Sequence, residues 1–314
     1  TLMRRTASLF CMPTILRLSR AQLHEALHMK FWQSLAFCEL EQTVELAKFA
    51  EELGFYGVSF GDHLITTKDQ VDDYLYTKSG QVFWHPETHW PEPWVIAAAL
   101  ARETKKLHFL TTIYVLPMRD SFNAAKAIST AAYLSDNRII MGVGIGWQKT
   151  EFELTGHDFH TRGKRTDEQL DVMQRLMTGE MVEYHGEFHN FPPLQMSPGT
   201  TKPVPVFIGG DSDAAFRRAA QHDGWLGLRY TEEQLPAVLE KIHKAREEAG
   251  TLDKPFDIWT AVLNPQEKTF ERVEAMGVTM TNGANFMVDG KIVPTDLNFK
   301  KKRIEAFAKQ FIHQ

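Results

Sequence analysis

The stretch Asn137-Arg-Ile-Ile-Met-Gly-Val-Gly-Ile-Gly-Trp147 decides how this chain folds. Ile139, Ile140 and Met141 are apolar at consecutive positions, so a strand here hides both faces, as strands of a helix-covered parallel sheet do. It runs into glycines and Trp147, and the pattern then turns helical near Thr150 and over 164–177. The unit is therefore strand followed by helix, and it repeats in both directions. Upstream, strands are predicted at 30–37, 56–60 and 107–115, each followed by a helix, at 41–53, 93–103 and 121–134. Val44, Leu46, Ala47, Ala50 and Leu53 form the apolar stripe of the first helix, and Gly54 closes it. Pro93 opens the second, where a missing N–H loses nothing. Downstream, strands at 204–208, 225–228, 256–262 and 278–287 alternate with helices at 212–221, 232–249, 265–276 and 297–311.

Eight strand–helix units without a break predict a single (β/α)8 TIM barrel in the α/β class. Two insertions interrupt the repeat. Residues 64–92 follow strand 2 and carry Tyr74, Tyr76, Phe83, Trp84 and Trp90; they are read as a lid or pocket wall. Residues 178–203, between helix 4 and strand 5, contain a predicted hairpin around Tyr184, Gly186 and Phe188.

Composition bounds the function. Of 314 residues, 43% are hydrophobic and 24% charged, enough apolar material for one large core. A net charge of −5 gives no basic face for nucleic acid. No run approaches the roughly 20 apolar residues of a membrane span. Cys11 and Cys38 are too few for a disulfide framework or metal cluster, so a reducing, cytoplasmic setting is expected. Residues 1–28 carry Arg4, Arg5, Arg17 and Arg20 against Glu25 alone. Pro13 and Thr14 interrupt their apolar stretch, so they are read as an extension rather than a targeting peptide, with the domain at 29–314.

Barrel enzymes build their sites from the C-terminal ends of strands. Those ends carry Asp62 and His63, 114–117, Gly144 to Trp147, Gly209 and Gly210, Arg229 and Tyr230, 262–264, and 282–285. Paired acids of a glycosidase are not evident there. The run Gly142-x-Gly144-x-Gly146 is no dinucleotide fingerprint, because Trp147 stands where close helix packing is needed. After Gly209 and Gly210 a helix begins at Ser212, a place suited to a phosphate or simply to a capped turn. Arg217 and Arg218 add positive charge; Asp211 and Asp213 oppose it. His63 follows a carboxylate, Asp62, that can set its tautomer for proton transfer; the plain alternative is a structural histidine. His85, Glu87 and His89 suggest a metal, but Pro86 breaks their spacing, so a metal-dependent barrel hydrolase is a distant alternative and no metal ligand is assigned.

Together, several motifs make the chain resemble the bacterial luciferase-like family of flavin- and F420-dependent oxidoreductases. They are Gly61-Asp-His-Leu64; 111–117 with Arg119 and Asp120; the opening stretch 137–147; Arg162-Gly163 with Arg165-Thr-Asp-Glu168; Thr178-Gly-Glu180 with Tyr184-His-Gly-Glu-Phe188; and Ile208-Gly-Gly210 continuing to Asp223-Gly-Trp225. The resemblance implies a barrel with a flavin-type ring over its C-terminal mouth. It implies a cofactor phosphate near Gly209, Gly210 and Ser212, with Arg217 adding charge. Gly144 and Gly146 would admit the cofactor, Trp147 would wall the pocket, and a bulge at Tyr114, Val115 and Leu116 would support the ring. His63, with Asp62, would assist hydride transfer. The Asp-His pair is similar to members that use coenzyme F420; the alternative is an FMN-dependent monooxygenase using oxygen and reduced flavin. The family also implies a homodimer and a separate flavin or F420 reductase as partner. Trp84 and Trp90 are expected to line the pocket for a small, apolar or aromatic substrate.

Overall fold

The computed structural model describes residues 29–67, 80, 82, 84–288 and 291–313. The extension assigned to 1–28, and Tyr74, Tyr76 and Phe83 of the first insertion, lie outside the described residues. Eight parallel strands close into a barrel: β1 (Lys30–Ser34), β2 (Gly57–Phe60), β3 (His108–Thr111), β5 (Ile139–Gly144), β8 (Val206–Gly209), β9 (Gly224–Tyr230), β10 (Asp257–Val262) and β11 (Met280–Asn282). Each pairs with the next around the ring. Pairing of β1 with β11 (Phe31 opposite Thr281) and of β3 with β5 (Leu110 opposite Ile140) completes the circle. Between β3 and β5 comes β4 (Tyr114–Val115), and between β5 and β8 come β6 (Met181–His185) and β7 (Asn190–Gln195), which form the predicted antiparallel hairpin.

The barrel interior is packed, not hollow. Trp32, Leu110, Ile140, Phe207, Leu226, Trp259 and Met280 meet there, one from each of seven strands. The eighth, β2, contributes Gly57, where a Cβ would stand 2.3 Å from the Trp32 ring and 2.6 Å from the His108 carbonyl. A bulky residue in β2 would displace the indole, so the glycine lets one large ring fill the space of two side chains.

Helices cover the outer faces: α1 (Thr43–Glu52), α2 (Pro93–Glu103), α3 (Ser121–Leu134), α5 (Arg162–Met177), α6 (Asp213–Ala219), α7 (Leu235–Ala249), α8 (Thr269–Ala275) and α9 (Leu297–Phe311), while the short α4 (Lys149–Leu154) follows the end of β5 at the mouth. In α1 the buried residues are Thr43, Leu46, Ala47 and Ala50, spaced to face the sheet. Pro93 opens α2 as expected, and the Glu92 side chain caps it by accepting from the Trp94 and Val95 amides. No helix among the described residues is long and apolar enough to cross a membrane.

The strands expected at 30–37 and 278–287 are shorter, Lys30–Ser34 and Met280–Asn282, and a third is interrupted. The sequence reads 107–115 as continuous, but the chain leaves the ladder after β3 and rejoins it at β4. Leu110 pairs with Ile140, whereas Tyr114 pairs with Val143, so one extra residue is accommodated at Thr112 and Ile113, across a cis peptide bond. The bulge expected at Tyr114, Val115 and Leu116 thus sits just upstream.

Candidate functional site

The C-terminal mouth is built around His63. Its imidazole is held among three indoles, with ring centroids at 4.9 Å from Trp90, 5.6 Å from Trp84 and 6.0 Å from Trp147. Trp84 and Trp90 also meet each other edge-on at 5.6 Å, and Phe37 after β1 packs on both. The first insertion therefore folds its tryptophans over the mouth beside Trp147, which comes from the end of β5.

Asp62 does not hold the His63 ring as expected, because its two oxygens bond to Arg119 and Val115. Neighbouring side chains of an extended segment point opposite ways. Asp62 is buried behind the mouth, where Oδ1 accepts from Arg119 Nη2 at 2.7 Å and Oδ2 accepts from the Val115 amide at 2.8 Å. Burial pushes its carboxyl above the ordinary value, against the pull of Arg119 and the Val115 N–H. Asp62 is a brace between β2 and the segment after β4. The partner of His63 is Glu151 of α4, whose Oε2 lies 3.1 Å from His63 Nδ1. Glu151 is buried, and its Oε1 accepts from the Leu64 amide at 2.9 Å and from the Ile65 amide at 3.4 Å. Gln148 adds a tie to the same loop through Thr67 Oγ1 at 3.2 Å.

Tyr114, Val115 and Leu116 are buried beneath this brace. Tyr114 packs edge-on against Trp94 at 5.3 Å and lies under the Arg119 guanidinium at 4.5 Å. Their side chains belong to the support of the mouth rather than its surface. The residue at the surface is Ile113, delivered by the bulge. A Cβ on Gly144 would stand 2.0 Å from its Cδ1, and one on Gly209 would stand 2.7 Å from its Cγ2. These two strand ends are glycine because Ile113 lies across both, forming an apolar floor between β5 and β8. The sequence reads Gly144 and Gly209 as space for a cofactor backbone contact; the first group to use that space is the Ile113 side chain. Gly146 sits just beyond, against Val115 and Phe152, and its carbonyl accepts from Arg162 Nε.

On the opposite side, Gly209 and Gly210 end β8, and Ser212 caps α6 by accepting from the Ala215 amide at 3.2 Å. Ordinary helix geometry leaves the first-turn amides of Asp213 and Ala214 without intrahelical partners. Asp211 takes a hydrogen bond from the Tyr230 hydroxyl, and burial raises its carboxyl. Arg217 stands exposed in the last turn of α6. Arg218 is paired with Asp167 of α5. His85 and His89 diverge: His85 faces Glu87 at 3.8 Å on the surface, while His89 Nδ1 accepts from the Leu40 amide.

Sequence reasoning missed Glu151 and Ile113. Ile113 lies within a motif already singled out, but its exposure depends on the bulge. Nothing marks Glu151 above its neighbour Glu153, and 88 positions separate it from His63.

Fold and mouth define a (β/α)8 barrel protein whose site is assembled from strand ends and one long insertion. The comparison with known families then places it: the model of the luciferase-like monooxygenases matches residues 22–275, and the chain belongs to that family. An uncharacterized protein of Mycobacterium tuberculosis is 33% identical over 287 residues, covering 90% of this chain and 99% of that one. An F420-dependent glucose-6-phosphate dehydrogenase of Amycolatopsis mediterranei is 26% identical over 241 residues, covering 73% of this chain and 67% of its own. Among solved structures, the monooxygenase RslO1 from Streptomyces bottropensis superposes with a TM-score of 0.67 at 19% identity, covering 91% of this chain and 99% of that one.

Proposed function

We propose that this protein is a coenzyme F420-dependent oxidoreductase that moves hydride between the deazaflavin and a small organic molecule held beside His63. The observation that carries the reading is the mouth itself: one imidazole, tied to a buried carboxylate, caged by three indoles next to an apolar floor. Such a site can hold a flat ring and a small apolar molecule while keeping one proton-transfer group in place. The similarity to an F420-dependent dehydrogenase supports the choice of cofactor.

The residues present suit that group. Ile113, seated across Gly144 and Gly209, would support a planar ring, and Trp147 would wall it. The first-turn amides of α6 and the turn at Gly209 and Gly210 would receive a phosphate, helped by the positive end of the helix and opposed by Asp213. Asp211 opposes it less, because its charge is engaged by the Tyr230 hydroxyl. A bound deazaflavin supplies a carbon that accepts or gives hydride and reacts little with oxygen. The protein's own part is to exclude water with Trp84, Trp90 and Trp147 and to hold or move one proton at His63. Leu64, Leu228 and Leu263 are exposed apolar side chains on the segments that rim the mouth, which suits an apolar or aromatic substrate. A separate enzyme would regenerate the spent cofactor.

Equilibrium titration with coenzyme F420 and with FMN, each oxidised and reduced, tests the reading. Saturable binding of the deazaflavin at least tenfold tighter than FMN is expected. Preference for reduced FMN would overturn it in favour of an oxygen-using monooxygenase.

A further inference from the structure

We infer that Glu151 sets the tautomer of His63, placing the ring proton on Nδ1 so that Nε2 enters the reaction as a proton acceptor. A carboxylate only accepts hydrogen bonds. Both oxygens of Glu151 are committed: Oε1 to the Leu64 and Ile65 amides, Oε2 to His63 Nδ1 at 3.1 Å. The Nδ1 contact therefore requires a hydrogen on Nδ1, and a neutral ring then carries a lone pair on Nε2. The amides also fix which oxygen faces the ring, because they hold the carboxylate plane from the other side. Glu151 is nearly inaccessible, so water does not compete for these bonds.

The chemical consequence rests on the hydride-transfer reading above, whereas the tautomer does not. An acceptor at Nε2 suits a substrate that brings its own hydroxyl proton. With an oxidised deazaflavin bound to supply the hydride acceptor, Nε2 would take the O–H proton of a secondary alcohol as the carbinol carbon gave up hydride and the C–O bond became a carbonyl. The alcohol would be oxidised and the cofactor reduced, and His63 would hold the proton as imidazolium beside the Glu151 carboxylate, which would stabilise that charge. Glu151 is buried and acts through His63, so it is a positioning residue. The sequence assigns this role to Asp62, which is spent on Arg119 and Val115.

The test is a long-range ¹H–¹⁵N correlation spectrum of the imidazoles in the cofactor-free protein, at a pH of about 8.5, above the ordinary histidine range. The His63 signal is assigned by its loss in His63→Ala. Wild type is expected to show a protonated Nδ1 and an unprotonated Nε2. In Glu151→Gln the amide oxygen stays with the Leu64 and Ile65 N–H groups, because the reverse orientation would set donor against donor. The amide NH2 then faces Nδ1, and the proton must move to Nε2. A wild-type spectrum with unprotonated Nδ1 would overturn the inference, and that result requires no variant to fold. An unchanged tautomer in folded Glu151→Gln would overturn it equally. In turnover, Glu151→Gln is expected to lower kcat for alcohol oxidation about 10²-fold, within the range of general-base effects, with KM nearly unchanged. Should the protein bind FMN instead, the spectrum keeps its predicted form and only the alcohol reading falls.

Discussion

Two histidines of this barrel each pair with a glutamate, and they are used differently. His63 meets Glu151 at 3.1 Å in the mouth, under three indoles. His189 meets Glu168 at 2.8 Å on the flank, and its Nε2 lies 2.7 Å from Ser121 Oγ. Read as a sequence of groups, Ser121, His189 and Glu168 form the order of a hydrolytic relay. Their surroundings assign them to structure. Ser121 is buried at the start of α3 and accepts from Gln169 Nε2. Glu168 also accepts from the amides of Glu187, Phe188 and His189, at 2.8, 2.8 and 2.6 Å, and so anchors the turn between β6 and β7. Geometry between partners is nearly the same in the two pairs. What differs is what else each glutamate holds and whether the imidazole borders the mouth.

The largest effect should separate the two histidines. His63→Ala is expected to slow hydride transfer by about 10²- to 10⁴-fold with cofactor affinity retained, as loss of a positioned acid–base group does. His189→Ala should leave the chemical rate unchanged in single-turnover measurements. Equal loss in both would erase the distinction.

The next effect is on stability. Glu168→Ala removes charge-assisted bonds to three amides and an imidazole, and a loss of about 3 kcal/mol is expected in denaturant unfolding. The same pair predicts a pH dependence. Partial burial would raise the Glu168 carboxyl, but bonds from His189 and the three amides outweigh it and hold the carboxyl below its ordinary value. A group depressed in the folded state contributes stability above its unfolded pKa, near 4.3, and loses it as pH falls through the folded value. Amide exchange at Glu187, Phe188 and His189 should therefore accelerate below about pH 4, ahead of the barrel strands. Uniform acceleration across the barrel would contradict the local role.

The smallest effect concerns the indoles. Trp84→Ala and Trp90→Ala are each expected to raise KM for an apolar substrate about tenfold, roughly 1.4 kcal/mol of lost contact, with cofactor Kd unchanged. A parallel rise in cofactor Kd would move these tryptophans from the substrate side to the cofactor side.

Much of the fold was legible because its signals are local. Consecutive apolar residues in β5, the stripe of α1, Pro93 at the start of α2 and the turn residues of the β6–β7 hairpin each report their own conformation. The site was legible only in part. The sequence reading assigns His63, Trp84, Trp90 and Trp147 to one pocket, and the structure brings the three indoles around the imidazole. The partner of His63 was not legible, since adjacency in sequence favoured Asp62 while alternation along an extended chain sends the two side chains apart. The bulge at Thr112 and Ile113 was also hidden. Its cause is a register difference between β3 and β5 on one side and β4 and β5 on the other, a property of pairing that one strand's composition does not carry.

The central claim, that a bound deazaflavin exchanges hydride with a small molecule beside His63, is tested most directly by following deazaflavin absorbance without oxygen. Oxidised coenzyme F420 is mixed with a panel of secondary alcohols, and reduced coenzyme with the matching ketones. The account predicts a substrate-dependent absorbance change that needs no oxygen and disappears in His63→Ala. Turnover that requires oxygen, or occurs only with reduced FMN, would contradict it.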